Sequence, residues 1–492
     1  MINKLVPRTA IVALLLSGCA VGPDFTPPPA PDVKGYAKEP LAPETVSVAA
    51  PAGASQRFVG DMDIPGQWWT LFHSPALNAL IEQALKTNHD LTAAQAALRQ
   101  AEENEKATAA SFFPTVEGNY SASRQKNALG TLAATLFNNQ PIFSLHTAQL
   151  TISYTPDVFG GTRRAVESAM AQAEQQRFEL EATYLTLTSN LVAAAVQEAS
   201  LRGQIAATGR LVAIERELTD LFHRQRALGQ VADADILVQE AALAQTEATL
   251  PPLEKQLAQQ RDLVTALCGR LPSNEPEQTF ELASLDLPVE LPVSLPSNLV
   301  EQRPDVRAAE ENLHAATAEV GVAIAAMLPQ FSISGFSGTA ATDIAKLFTP
   351  GNGFWGITGG VDQTFFDGGA LLHKRRGADA AMDQAAEQYQ STVVAAFQNV
   401  ADALHAVKSD ADALKAQVAA EQAAERSLDL VRKELPLGQV SHLTVLNAEQ
   451  IYQQAVIARV QAQAARLADT AALFQALGGG WWNRRDVDVA KL

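Results

Sequence analysis

The chain has 492 residues, enough for two or three ordinary domains or for one unit of about half that length written twice. Hydrophobic residues make up 47% and aromatics only 6%, and Ala and Gln recur through long stretches free of Gly and Pro, a bias toward long helices rather than compact sheet cores. A formal charge of −17 speaks against a nucleic-acid partner, which would call for a basic face.

Residues 1–18 read as an export signal. Lys4 and Arg8 supply a short basic region, Ala10 to Leu16 an apolar core, and Leu16-Ser17-Gly18-Cys19 closes it, too short a run to span a bilayer. The closing tetrad resembles the bacterial lipobox, in which the cysteine thiol is alkylated by diacylglycerol and the peptide is cut before it. Cys19 is therefore the expected lipidation site, and this covalent lipid is the only attached group expected. Each buried CH₂ of an acyl chain contributes roughly 0.8 kcal/mol, so multiple chains hold the N-terminus at a membrane. In lipoproteins of this type, Ala20 in place of Asp favours sorting to the outer membrane. After processing, Cys268 is the one free cysteine, which leaves no intramolecular disulfide.

From Ala20 to about Pro65 the chain is rich in Pro, Ala and Val with little periodicity. Residues 19–67 therefore read as an extended tether, with structure beginning near Trp68-Trp69. Beyond it, landmarks recur at matched intervals, the mark of a duplication. Asp90 to Pro114 and Asp305 to Pro329 are each 24 residues; Gly229 to Gly269 and Gly438 to Gly478 are each 40. Local contexts agree too, Leu228-Gly229-Gln230-Val231 answering Leu437-Gly438-Gln439-Val440. The organisation predicted is a first repeat at 68–270, a linker at 271–296, a second repeat at 297–478 and a tail at 479–492.

Each repeat has the same order of elements. Asp90 to Ser111 and Asp305 to Met327 read as short helices leading into alternating segments. In the first repeat, Thr115 to Ser123 sets Val116, Gly118, Tyr120 and Ala122 on one face, and Gln149 to Thr155 does the same with Leu150, Ile152 and Tyr154. In the second, Gln330 to Gly335 and Trp355 to Gly360 offer Phe331, Ile333, Trp355 and Ile357. This period-two patterning predicts one hairpin per repeat. Long helices follow, Arg164 to Leu228 and Gly377 to Leu435, the latter with one apolar stripe running from Met382 through Val400 to Val431. At 60 to 65 residues each they are rods of roughly 90 to 100 Å. Asp233 to Cys268 and Ser441 to Leu477 are the returning helices, with a kink or restart expected at Pro251-Pro252.

Four strands with an apolar outer face leave open edges, and membrane barrels are closed, usually with eight strands or more. Copies of the chain must pool strands to enter a bilayer, a dimer supplying eight and a trimer twelve. The fold class expected is mostly α: an internally duplicated long-helix α-barrel with a small membrane β-barrel built from two hairpins per chain. No catalytic constellation is present. The eight His residues show no metal-ligand spacing, and Gly351-Asn352-Gly353-Phe354-Trp355-Gly356 matches a dinucleotide pattern but precedes a strand rather than opening a helix. No enzyme activity, metal or other cofactor is expected.

These features resemble the outer-membrane efflux protein family, the TolC-like channels, in its lipoprotein branch related to OprM and NodT. Cys19-Ala20-Val21-Gly22-Pro23-Asp24-Phe25, Trp68-Trp69-Thr70-Leu71-Phe72-His73-Ser74-Pro75, Arg303-Pro304-Asp305-Val306-Arg307 and Ala476-Leu477-Gly478-Gly479-Gly480-Trp481 carry the resemblance, which runs through nearly the whole chain. It implies a homotrimer with a twelve-stranded barrel and an equatorial belt from residues near Trp68, the Leu271 to Pro296 linker and the tail after Gly478. It also implies a periplasmic adaptor (membrane fusion) protein and an inner-membrane pump as partners, beside the lipid of the outer membrane. The helix tips, Arg226, Leu228, Gly229, Gln230 and Val231 with Leu437, Gly438, Gln439 and Val440, would meet the adaptor. Asp235 matches a gate carboxylate of the family, while Val440, Thr444 and Asn447 replace charged residues seen in relatives, so the gate at Asp235, Thr444 and Asn447 is expected to rest on packing and neutral hydrogen bonds. The function implied is a passive exit duct for small molecules such as drugs; a type I protein-secretion channel and a lipoprotein scaffold without a pore are the alternatives.

Overall fold

A computed structural model describes residues 20–33, 35–38, 41–60, 62–126, 142–294 and 296–484. Cys19 and the signal lie outside the described residues. In chain order the strands are β1 (Arg57–Gly60), β2 (Thr115–Lys126), β3 (Ile142–Tyr154), β4 (Glu290–Val293), β5 (Gln330–Ala341) and β6 (Gly353–Asp362). The helices are α1 (Pro75–Thr87), α2 (His89–Ala109), α3 (Gly161–Ala227), α4 (Asp233–Glu247), α5 (Leu250–Leu267), α6 (Pro296–Gln302), α7 (Pro304–Ala325), α8 (Ala370–Glu434) and α9 (His442–Ala476).

Contacts gather the chain into two units that do not coincide with the two repeats; each draws on both. One holds the N-terminal segment up to Pro27, Leu98–Gln175 and Ala309–Tyr389; the other holds Pro28–Ala97, Gln176–Ala308 and Gln390 onward.

In the first unit, β2, β3, β5 and β6 form one antiparallel sheet in that order. The pairing of β3 with β5 joins the hairpins of the two repeats, and β2 and β6 are left as edges. The strands are longer than their alternation predicts. β3 begins at Ile142 rather than Gln149, and β5 runs on to Ala341 through Gly, Ser and Thr residues that carry no apolar rhythm.

In the second unit, Trp68, Trp69, Phe72, Leu77 and Phe474 are fully buried. The Trp68 ring stacks on Phe474 at 5.5 Å, and Trp481 meets Phe178 edge-on at 5.8 Å while donating its indole N–H to the Gln302 carbonyl. The linker joins this core through Asp286, whose N–H donates to the Phe72 carbonyl. The three segments expected to form a belt thus come together here.

The stretch before Trp68 is extended, as its composition predicts, but it is packed rather than loose. β1 pairs in parallel with β4, and Tyr36 donates to the Ser294 carbonyl and packs on Phe397. Arg466 of α9, fully buried, spends its guanidinium on Thr45 Oγ1, Gln56 Oε1 and the carbonyls of Ala52 and Ala54. A segment without periodicity is held by partners some 400 positions away, a tie that local pattern does not reveal.

The helix expected from Asp233 to Cys268 is two helices. Pro251 and Pro252 occupy the first turn of α5, where a missing N–H costs nothing, so the prolines begin a helix instead of bending one. α4 and α5 lie along α3 through Arg216–Glu247, Gln260 Nε2 to the Ala194 carbonyl, and Arg261–Glu198. α9 lies along α8 through Arg432–Glu449 and Arg459–Glu421.

Candidate functional site

The sheet has two chemically different faces. Strand register places Val116, Ile152, Gly335 and Ile357 in one row and Gly118, Leu150, Ser337 and Trp355 in the next. The apolar members stand out in the open: Trp355 is 76% exposed, Ile357 77% and Leu150 57%. The opposite parity carries Glu117, Asn119, Gln149 and Thr151 on β2 and β3, and the packed pair Phe336 and Phe354 on β5 and β6. Leaving so many large apolar side chains in water is costly, about 25 cal/mol per Å². An apolar band on one face and, on β2 and β3, a polar lining on the other is the pattern of a strand between lipid and lumen. No helix among the described residues is long and apolar enough to cross a membrane.

Beside the sheet, the segment following Cys19 is docked. Ala20 lies against Gly160, where the φ of +78° favours glycine and where a Cβ would sit 2.5 Å from the Ala20 Cα. Val21 donates its N–H to the Phe159 carbonyl. Gly22 faces Gly321 of α7 backbone to backbone. Arg164, only 4% exposed in its side chain, reaches the Val21 carbonyl, Asp24 and Glu167. Phe25 stacks on His314 at 4.3 Å, and His314 sits between Glu311 and Glu167, whose hydrogen bonds raise its pKa against the opposing effect of burial. The motif after Cys19 therefore has a built receptor, which sequence reading did not identify because its parts are scattered over α3 and α7.

At the far end of α3, the chain turns at Gly229 (φ +72°); at the end of α8 it turns at Gly438 (φ +69°). The two turns share one hydrogen-bond scheme: Gly229 N–H to Arg226 O with Gln230 N–H to Gln225 O, and Gly438 N–H to Leu435 O with Gln439 N–H to Glu434 O. This closes a helix with a left-handed residue, which glycine adopts without strain. Immediately before each glycine a leucine stands in solvent, Leu228 at 73% and Leu437 at 69%. Gln230 and Gln439 are exposed, and Val231 and Val440 half-buried. Arg226 pairs across its turn with Asp233, a charged contact at the tip that the sequence reading missed.

The expected gate residues lie just past these turns, all exposed. Asp235 accepts from the Ala232 N–H at 3.2 Å, half of a capping box, since Ala232 has no side-chain acceptor to return the bond. Thr444 hydrogen-bonds Ser441, the N-cap of α9, and Asn447 lies one turn on. Asp235 and Thr444 are engaged within their own helices. Among the described residues no group of His, Cys, Asp and Glu is placed to hold a metal ion. Cys268 is free and buried.

Comparison with known proteins agrees with this geometry. The pyoverdine export outer membrane protein OpmQ of Pseudomonas putida is 29% identical over 443 residues, covering 89% of this chain and 94% of that one. A probable efflux pump outer membrane protein, TtgC, of the same species is 28% identical over 476 residues, covering 96% and 95%. The solved structure of the outer-membrane channel OprN superposes with a TM-score of 0.79 at 29% identity, over 94% of this chain and all of that one. The model of the outer membrane efflux protein family matches residues 80–270 and 295–479, most of the chain and both halves of the duplication, and the chain belongs to that family.

Proposed function

We propose that three copies of this chain assemble into the exit duct of a tripartite efflux system, held by lipid on Cys19, met at its helix tips by a periplasmic adaptor and driven by an inner-membrane pump. Membership places the chain in the outer membrane as the efflux component there, in a family of ducts rather than enzymes. The observation that carries the fuller reading is the sheet: four strands, one apolar face and two unpaired edges, β2 and β6. An open edge in lipid leaves backbone donors and acceptors unsatisfied at several kcal/mol each, so further copies must close it. The first and last of four antiparallel strands run antiparallel to each other, which lets copies join head to tail, and three give twelve strands. The docked Ala20–Phe25 segment supports the tether reading, because it brings the residue after Cys19 to Gly160, in the connection between β3 and α3. The exposed Leu228 and Leu437 support the adaptor reading, because paired apolar knobs on a polar tip are suited to burial against a partner. Passage is passive, and the cargo is small molecules such as drugs.

Single-channel recording on the purified full-length protein in a planar bilayer tests this reading. Discrete conductance steps from a trimeric species are expected; a monomer without conductance overturns it. Radiolabelled palmitate incorporated into the wild-type chain and absent from Cys19→Ala is expected in parallel.

A further inference from the structure

Where β5 pairs with β6, two successive rows of the sheet's second face set Phe336 opposite Gly356 and Gly338 opposite Phe354. The phenylalanines thus occupy one diagonal of a four-residue block and glycines the other. Their ring centroids lie 5.9 Å apart with the planes at 54°, so the rings meet across the diagonal. The Phe336 ring leans over Gly356, where a Cβ would sit 2.5 Å from Cζ, and a Cβ on Gly338 would strike the Ala148 carbonyl and the Gln149 side chain. Neither glycine can carry a side chain without a shift nearby, so the rings stand on a floor of backbone, and Phe336 remains 38% exposed. The charge around them has one sign. Among the described residues of the four strands, the charged ones on this face are Glu117 and Asp362, both acidic, while Arg124 and Lys126 fall on the opposite parity. Glu117, Thr151, Phe336 and Gly356 form one continuous row across β2, β3, β5 and β6. Two strand spacings, about 10 Å, separate Glu117 from Phe336. Glu117 is exposed, and the Thr151 side chain between them is short.

We propose that Phe336 and Phe354, with Glu117 beside them, form a cargo-binding patch in the wall of the duct, and that its ligands are organic cations carrying a flat aromatic ring. The inference rests on the duct proposed above, with this face toward the lumen. An aromatic ring attracts a cation through its quadrupole and packs favourably on another ring. Glu117 supplies the opposite charge within reach of a molecule lying along its row. The neutral Thr, Ser, Asn and Gln residues that make up most of this face on β2 and β3 offer neither attraction. Covering Gly356 accounts for the edge of Phe336 turned to the wall, but not for its exposed surface, nor for a second ring beside it with a carboxylate in the same row. A patch open on one side holds its ligand weakly, and conduction requires sites that a molecule can also leave.

The test is block of single-channel current through the full-length protein by two cations of equal charge, ethidium with its fused rings and tetraethylammonium with none. Ethidium is expected to halve the wild-type current at a concentration on the order of tenfold lower than tetraethylammonium. Phe336→Leu keeps an apolar cover over Gly356 and removes the aromatic face. It should raise the half-blocking concentration of ethidium about tenfold and leave that of tetraethylammonium in place. Phe336→Tyr keeps the ring and should keep the block. Glu117→Gln removes the charge alone and should weaken ethidium block a few-fold. Should Phe336→Leu fail to fold, Phe354→Leu takes its place with the same expectation. A purely structural role would lower the melting temperature of the leucine variants and leave their block as in wild type. Equal block of the wild type by the two cations, or unchanged ethidium block in the leucine variant, overturns the patch while leaving a conducting channel. A wild-type protein that does not conduct overturns the duct on which the patch depends.

Discussion

Around Gly229 and Gly438 no heavy atom lies within 4 Å of where a Cβ would stand, so the constraint there is conformational alone. Gly229→Ala and Gly438→Ala are each expected to cost about 1 kcal/mol through left-handed strain, lowering the melting temperature slightly without disturbing neighbours. Gly160→Ala differs, because its Cβ would strike Ala20 as well as strain the backbone. It should release the N-terminal segment to protease while the tip variants stay protected. Limited proteolysis followed by mass spectrometry separates the two outcomes. Both tip glycines were legible from their place between long and returning helices. The receptor at Arg164 and His314 was not, since an arginine and a histidine on helices offer no local sign of the segment they hold.

At the scale of elements, the long helices were readable because each keeps one apolar stripe over dozens of residues free of interior proline. The strands were read short, because the end of β5 after Phe336 is Ser, Gly, Thr and Ala, small residues that alternate nothing. Contacts between elements were the least readable, and Arg466 shows why: its partners lie in the stretch that composition marks as loose. Arg466→Met removes four hydrogen bonds, to Thr45, Ala52, Ala54 and Gln56, and leaves the Thr45 and Gln56 acceptors buried. A loss of about 3 kcal/mol is expected, with new cleavage between 41 and 60 as its signature. Close by, burial, the hydrogen bond that the protonated Asp410 carboxyl donates to Asp469 and the charge of Asp469 push the Asp410 carboxyl up to about 7, against the lowering influence of Arg466. Unfolded, the same carboxyl releases its proton near 3.8. The folded chain therefore binds more protons between those values, and this pair's contribution to stability falls as pH rises through the window. Asp410→Asn should flatten that slope in melting curves recorded from pH 4 to 7, and an unchanged slope would remove the pair from the account.

For the whole molecule the decisive feature is what one chain leaves undone. The sheet order β2-β3-β5-β6 puts β2 of the first repeat and β6 of the second at opposite edges, so the duplication itself builds a segment with two complementary ends. An even number of antiparallel strands lets β6 of one copy meet β2 of the next antiparallel, which an odd number would forbid. This much follows from the alternation in the sequence, but the β3–β5 seam that makes it possible joins segments nearly 200 positions apart and becomes visible only in the fold. Paired cysteines stepped along β2 from Val116 to Ala122 and along β6 from Trp355 to Gly359 test the closure, with Cys268 too buried to compete. Oxidation in outer membranes is expected to yield covalent dimers and trimers on denaturing gels at one register, with the pairs one residue out of phase unreactive because their side chains point to opposite faces. Bonds formed only within a chain would mean that the sheet curls on itself. A ladder continuing past three would mean that the ring closes with more copies than twelve strands allow.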